Sequence, residues 1–140
     1  MIEFFYHDVD FELNNTNEYA SWILEIGKSE GKEIGDINFI FCTDEYLLNI
    51  NKEFLSHNTY TDIITFDYKM GEELNGEIYI SIERVQENAE VYNIDFTHEL
   101  KRVMSHGILH MCGYEDRTDD DKSQMRKLEN DKINLFHVEL

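Results

Sequence analysis

Residues 96–116 read FTHELKRVMSHGILHMCGYED, and the rest of the chain is best interpreted outward from this segment. Its apolar residues recur at helical spacing and predict a core helix over residues 96–112, here called the histidine helix: Phe96, Leu100, Val103, Met104, Gly107, Ile108 and Met111. His106 and His110 lie one turn apart at the edge of that apolar stripe, so their imidazoles are expected to point to the same place. The helix therefore borders the core and can open onto a cleft.

Gly113 follows the histidine pair and predicts the end of the helix, because glycine adopts the left-handed conformation that terminates helices without steric cost. A chain that turns back at this point would bring Tyr114, Glu115 or Asp116 toward the two imidazoles. A catalytic metal site needs three protein ligands and an open position for water. The pattern H-x3-H-x5-D with a glycine turn therefore favours a metal site over a chance pair on a helix surface.

The composition predicts one domain over residues 1–140, since 140 residues with 41% hydrophobic content suffice for one well-buried core but not for two ordinary domains. No window approaches the ~20 apolar residues of a membrane span, and the first ten residues lack the features of a signal peptide. We therefore expect a cytoplasmic protein that does not bind membranes. Cys42 and Cys112 lack metal-site spacing and are interpreted as reduced, packed thiols.

Strands and helices alternate along the predicted secondary structure. Strands are predicted at residues 2–6, 37–43, 61–68 and 76–81. Helices are predicted around residues 20–26, 47–55, 82–92 and 96–112. The segments 61–68 and 76–81 are rich in β-branched and aromatic residues and are expected to pair with each other. This order predicts an α+β fold, a mixed sheet of about four strands packed with helices, with the metal-binding motif on a core helix.

The charge balance is strongly acidic, with 30 acidic against 12 basic side chains and a formal net charge of −18. A field of this sign repels nucleic acid and anionic membranes and favours cationic partners. The basic residues near the motif lie on the histidine helix and in the segment after it: Lys101, Arg102, Arg117, Lys122, Arg126 and Lys127. This concentration supplies local positive charge for an anionic ligand.

Residues 106–116 (HGILHMCGYED) resemble the H-G-x-L-H-x-x-G-Y-D-H signature of the YbeY family, single-domain metal-dependent endoribonucleases of ribosomal RNA maturation. Residues 51–68 (NKEFLSHNTYTDIITFDY) are similar to that family's L-N-x-x-[YF]-R…T-D-V-L-S-F block, and residues 76–81 (GEIYIS) to its G-D-I-x-I strand. The resemblance implies that metal-activated water cleaves a phosphodiester during processing of small-subunit (16S) ribosomal RNA. It implies ribosomal RNA and the small ribosomal subunit as partners, with basic ribosomal proteins as further candidates.

The metal set that the resemblance implies is His106, His110 and Asp116, in which Asp116 stands where the family carries a third histidine. Two histidines with one carboxylate are an attested catalytic zinc set, so one Zn²⁺ per chain is expected. The added negative charge makes manganese or another divalent transition metal more competitive. Leu55 is a second departure, because the family usually carries an arginine there and leucine cannot clamp a phosphate.

Catalytic candidates beyond the metal set are Glu115, Asp62 and Thr61. Glu115 precedes the third ligand and would either accept a hydrogen bond from an imidazole N–H or be an exposed residue without such a role. Asp62 and Thr61 lie in the matched strand block, where a carboxylate and a hydroxyl would either position substrate or form the turn that starts the strand. Glu99, two turns before His106 on the same face of the helix, is interpreted as a solvated residue.

Three side chains are candidates for RNA binding: His57, Arg102 and Arg117. His57, or a lysine or arginine from elsewhere in the chain, would substitute for the arginine that Leu55 replaces. Arg102 and Arg117 belong to the basic residues around the motif, which could pair with phosphates.

Two alternative functions remain open. The spacing H-x3-H-x2-G-x2-[HD] also occurs in metzincin-type metalloproteases, which carry a glutamate base directly after the first histidine. That position is Gly107 here, which favours phosphodiester cleavage, because metal-assisted hydrolysis of RNA requires no glutamate there. The other alternative is a non-catalytic ribosome-assembly factor, in which a structural metal holds the C-terminal segment and the acidic surface docks on basic ribosomal proteins.

Overall fold

The computed structural model describes residues 1–55, 60–69 and 71–136. Within these ranges the chain forms four strands and five helices. In chain order they are β1 (Ile2–Tyr6), α1 (Thr16–Ser29), β2 (Ile34–Cys42), α2 (Asp44–Leu55), β3 (Ile63–Asp67), β4 (Leu74–Ser81), α3 (Ile82–Tyr92), α4 (Phe96–Met111) and α5 (Asp119–Ile133). The predicted α+β fold with a mixed sheet of four strands is confirmed, and the histidine helix is α4.

The sheet has the strand order β1-β2-β4-β3. Strand β2 pairs in parallel with both β1 and β4, whereas β3 runs antiparallel to β4. Parallel neighbours need a crossover connection, and α1 supplies it between β1 and β2. The expected pairing of the segments 61–68 and 76–81 is confirmed by β3 and β4, with Ile63 opposite Ile80.

Strands β2 and β4 both begin earlier than predicted. Ile34 pairs with Leu74, and the register then shifts before Ile37 meets Gly76. The first residues of β2 and of β4 are extended because they pair with each other. Local periodicity in the sequence does not predict such pairing between distant segments.

Helix α4 packs on the sheet at Gly107. A Cβ atom at this position would lie 3.1 Å from the Cδ1 atoms of both Ile63 and Ile78, so glycine permits the close approach of helix and strands. The apolar stripe of α4 is buried as predicted, with Leu100, Val103, Met104 and Ile108 at most 1% exposed. His106, the residue before Gly107, is therefore held at the edge of the core.

Helix α5 is not among the predicted helices, because its residues are almost all polar. It begins at a capping box in which the Thr118 hydroxyl accepts from the Asp121 N–H and the Asp121 carboxylate accepts from the Thr118 N–H. Trp22 of α1 donates from Nε1 to the carbonyl oxygen of Lys132 over 2.6 Å. Local capping and this buried hydrogen bond therefore place α5 against the rest of the fold.

Both cysteines are free thiols, as expected. Burial raises the pKa of Cys42 to about 12 and that of Cys112 to about 11, so both remain protonated near neutral pH. Among the helices of the described residues, none is long and apolar enough to span a bilayer.

Candidate metal centre

The His106 ring is oriented by a buried carboxylate from α5. Its Nδ1 donates to Oε2 of Glu129 over 2.7 Å, since a carboxylate can only accept, and Glu129 is 2% exposed. The other ring nitrogen, Nε2, lies 3.8 Å from Oδ2 of Asp116. Glu129 therefore leaves Nε2 as the nitrogen with a free lone pair, and this nitrogen faces the predicted third ligand.

His110 lies one turn further along α4 and is exposed. It lines a cavity of about 700 Å³ together with His106 and Asp116. The remaining walls come from the end of α2, the start of β3 and the turn after α4: Asn51, Leu55, Tyr60, Thr61, Ile63, Ile64, Thr65, Glu115 and Arg117. The structure thus brings all three predicted ligands to one cavity.

The return of the chain after α4 depends on Gly113, as predicted. Gly113 has φ +108°, and the amides of Gly113 and Tyr114 donate to the carbonyl oxygens of His110 and Leu109. The Tyr114 hydroxyl then donates to Oε1 of Glu30 over 2.6 Å. This contact fixes the turn to the end of α1 and holds the segment that carries Asp116.

The donor chemistry of the cavity suits a divalent transition metal, because two imidazole nitrogens and one carboxylate oxygen are ligands that zinc accepts. Among the side chains of the described residues, however, no three histidine, cysteine or acidic groups stand close enough together to hold one ion. His106 and Asp116 are near each other, whereas His110 shares only the cavity. The complete ligand set of His106, His110 and Asp116 stays a prediction.

A buried ion-pair network lies behind His106, and its centre is Arg102, which is 11% exposed. Its guanidinium donates to Glu99 over 2.8 Å, to Glu129 over 3.4 Å and to Asp62 over 3.5 Å. The interpretation of Glu99 as a solvated residue is wrong, since this side chain is fully buried against Arg102. The same contacts do not support Arg102 as an RNA-binding residue, because its donors are used within the protein.

The network carries more negative than positive charge, with the carboxylates of Glu99, Glu129 and Asp62 against two guanidiniums, that of Arg102 and that of Arg126, which lies 3.8 Å from Glu129. Burial raises the pKa of Asp62, while the nearby charge of Arg102 opposes that rise. An excess of negative charge behind the imidazole favours a cation on its other side. The electrostatics of the network are therefore consistent with a cation at Nε2 of His106.

The other predicted site residues are distributed around the cavity. Thr61 lines it, and its hydroxyl donates to the carbonyl oxygen of Ile63 over 3.4 Å. Glu115 and Arg117 are exposed on its rim. The acceptor role proposed for Glu115 is taken at His106 by Glu129. His57 lies outside the described residues.

Glu129 is a residue of the candidate site that the sequence analysis missed. It lies on a polar helix whose buried residues, Met125, Glu129 and Lys132, recur at helical spacing. That spacing after the capping threonine Thr118 is the signal that could have revealed a buried glutamate.

A smaller cavity of about 220 Å³ opens on the α5 side of the site. It is lined by Arg102, His106, Asp116, Lys122, Met125, Arg126 and Glu129. Lys122 and Arg126 are exposed, one turn apart on α5. Exposed positive charge at the site therefore comes from α5, from Lys122 and from Arg126, which also lies 3.8 Å from Glu129.

A protein-family model described as Endoribonuclease YbeY matches residues 2–137 of the chain. The chain belongs to the Endoribonuclease YbeY family. The curated Endoribonuclease YbeY of Flavobacterium psychrophilum is 52% identical over 138 residues, covering 99% of this chain and 98% of the relative. That of Christiangramia forsetii is 56% identical over 135 residues, covering 96% and 94%.

The fold agrees with this membership of the YbeY family. The solution structure of a Thermotoga maritima protein matches with a TM-score of 0.66 and 28% identity, covering 97% of this chain and 89% of that chain. The resemblance that the motifs indicated is therefore confirmed over the length of the chain. Its family name assigns the chain to hydrolases that cleave within RNA.

Proposed function

We propose that the protein is a metal-dependent endoribonuclease that matures the ribosomal RNA of the small subunit in the cytoplasm. The observation that carries the proposal is the orientation of His106, whose Nδ1 is engaged by Glu129 while Nε2 faces Asp116. This arrangement lies in a cavity shared with His110, in a chain of an RNA-cleaving family.

His106, His110 and Asp116 would hold one divalent transition metal per chain, with Zn²⁺ the first expectation. A bound metal would supply Lewis acidity toward a phosphoryl oxygen and a nucleophile derived from water. Glu129 fixes the ring of His106, and Tyr114 fixes the turn that carries Asp116 through its bond to Glu30. The protein's own contribution is thus to orient donors that come from two separate segments.

Exposed basic side chains at the two cavities would contact the phosphates of the substrate. Arg117 lines the larger cavity, and Lys122 and Arg126 line the smaller one. The side chains of Thr61 and Glu115 are available at the larger cavity to orient the strand or a water molecule. Arginine and lysine from these positions would replace the clamp that is absent at Leu55.

Gly107 supports RNA over peptide as the substrate. The position that carries the general base in metzincin-type proteases faces Ile63 and Ile78 of the sheet. A glutamate at this position would enter the core instead of the cavity. A peptidase mechanism therefore has no general base at position 107, because this position is a glycine and faces the core.

The proposed partner is the small ribosomal subunit. The net charge of −18 opposes binding to free RNA, whereas basic ribosomal proteins would attract the acidic surface and raise the effective concentration at the substrate. We expect feeble cleavage of isolated oligonucleotides and stronger cleavage of immature small subunits.

The test compares the parent protein with His110→Ala, and with His98→Ala as a matched control on the exposed face of the same helix. Metal content and cleavage are measured on naked RNA and on immature small subunits. Parent and His98→Ala should bind one metal and cleave, while His110→Ala loses both. Equal cleavage by all three proteins would contradict the proposal, and binding without cleavage by the parent would favour the assembly-factor alternative.

A further inference from the structure

Tyr60 lines the cavity that holds the two histidines and lies three residues before β3. Its side chain is 53% exposed, although burial of an aromatic ring contributes a large favourable free energy. It lines the same cavity as His106, His110 and Arg117. The ring is therefore available to a ligand that enters this cavity.

The ring of Tyr60 packs against the guanidinium of Arg84. The guanidinium carbon of Arg84 lies 5.3 Å from the ring centroid, which is the geometry of a cation–π contact. Arg84 is itself held by Asp44 over 2.7 Å, and the Asp44 carboxylate also accepts from the Ser81 hydroxyl over 3.2 Å. This chain of contacts positions the ring against the body of the protein.

A second exposed side chain in the lining of this cavity is Leu55, which is 43% exposed. Leucine cannot pair with a phosphate, so Leu55 and Tyr60 offer apolar and aromatic surface to a ligand in the cavity. An RNA strand presents two kinds of surface, charged phosphates and neutral base faces. The rim at Leu55 and Tyr60 matches the base faces.

We infer that Tyr60 is a stacking platform for an unpaired nucleobase of the RNA substrate, next to the metal-binding cavity. The inference rests on the proposed function and adds a residue that holds an unpaired nucleotide at the cavity. Stacking on an aromatic ring does not depend on attraction to phosphate, so it offsets part of the repulsion from the acidic protein. The Arg84 guanidinium against the ring is paired with Asp44 and Glu87, so its part is to position the ring.

The experiment measures binding of a fluorescein-labelled, single-stranded oligoribonucleotide to the metal-free full chain, so that no cleavage intervenes. Tyr60→Ala should weaken binding about tenfold, as expected for the loss of one base stack, while Tyr60→Phe retains the affinity. Tyr92→Ala is the matched control, since Tyr92 is 59% exposed at the end of α3. This control should bind like the parent.

A series of oligonucleotides with one abasic residue at successive positions locates the stacked base. The parent should lose affinity at one position, and Tyr60→Ala should be insensitive to the missing base at that position. Equal affinities of parent and Tyr60→Ala, a loss in Tyr60→Phe as large as in Tyr60→Ala, or no binding by the parent would each overturn the inference.

The outcome is separable from that of the proposed function. Loss of affinity in Tyr60→Ala without any His110-dependent cleavage would support the stacking platform and contradict the nuclease. Cleavage by metal-replete protein that depends on His110, with the same KM in Tyr60→Ala and parent, would support the nuclease and overturn the stacking platform.

Discussion

Oε2 of Glu129 lies 2.7 Å from Nδ1 of His106, and this contact joins the last helix to the helix that carries the histidine pair. Arg102 in turn donates to Oε1 of the same carboxylate over 3.4 Å. The carboxylate is 2% exposed, so burial restricts the rotamers and the hydrogen-bond partners of the Glu129 side chain. The orientation of a predicted metal ligand is therefore set by a residue far away in the sequence.

Replacing Glu129 by alanine should weaken metal binding about 10- to 100-fold, because the ring of His106 loses the acceptor that fixes its tautomer and angle. Glu129→Gln should have a smaller effect, since the amide oxygen can still accept from Nδ1. Competition with a chromogenic chelator measures the affinity. Asp131→Ala, an exposed acidic residue of the same helix, is the control. Unchanged affinity in Glu129→Ala would show that Glu129 does not position the ligand.

Leu55→Arg should strengthen the binding of single-stranded RNA and make it more salt-dependent, by about one unit in the slope of log affinity against log salt. The reason is that Leu55 is 43% exposed on the cavity wall, where the resemblance implies an arginine. The dissociation constant is measured at several salt concentrations.

The control for this prediction is Leu24→Arg, which adds the same charge at a 51% exposed position of α1. Leu24 lines a separate cavity, with Lys28, Lys32 and Ile34 among its neighbours. If both variants strengthen binding equally, net charge rather than the position at the cavity explains the effect.

Gly107→Ala should destabilise the protein by about 1 kcal/mol. Overpacking costs about 1–3 kcal/mol and outweighs the gain of about 1 kcal/mol in helix propensity, because the new Cβ would lie 3.1 Å from Ile63 and Ile78. Denaturant unfolding measures the change. Ile63→Val removes one of the close methyl groups, so the double variant should lose less stability than the sum of the two single variants. Strict additivity would contradict this account of the contact between helix and sheet.

Glu30 should make the stability of the metal-free protein depend on pH in the acidic range. Burial alone would raise its pKa, but hydrogen bonds from Lys132 and Tyr114 outweigh burial and lower the pKa from 4.5. A lowered folded-state pKa means that the stabilisation is fully present above pH 4.5 and is lost as the pH falls through the folded-state value.

Glu30→Gln should therefore be less stable than the parent at pH 6, by about 1 kcal/mol, and the difference should shrink on acidification below pH 4.5. Urea unfolding at a series of pH values measures it. Glu25→Gln, at an exposed position of the same helix, is the control and should follow the parent. A stability difference that is constant with pH would contradict the role assigned to Glu30.

Local patterns in the sequence were sufficient for most of the fold. The apolar spacing of α4, the glycine turn at Gly113 and the pairing of β3 with β4 were all predicted, because each depends on neighbours within one or two elements. The first residues of β2 and β4 were not predicted, since Ile34 and Leu74 are extended only through each other. Helix α5 was not predicted, because only a few of its residues are buried and its apolar pattern is weak.

For the site, the sequence by itself determined the candidate ligands, since the spacing of His106 and His110 fixes their common face and Gly113 reverses the chain before Asp116. Only the tertiary structure decided which groups surround them. Glu99 and Arg102 satisfy each other in the interior, and Glu129 reaches His106 from another helix. Such pairings form because a buried charge requires a partner, and that partner is chosen by packing between distant segments, which local sequence does not encode.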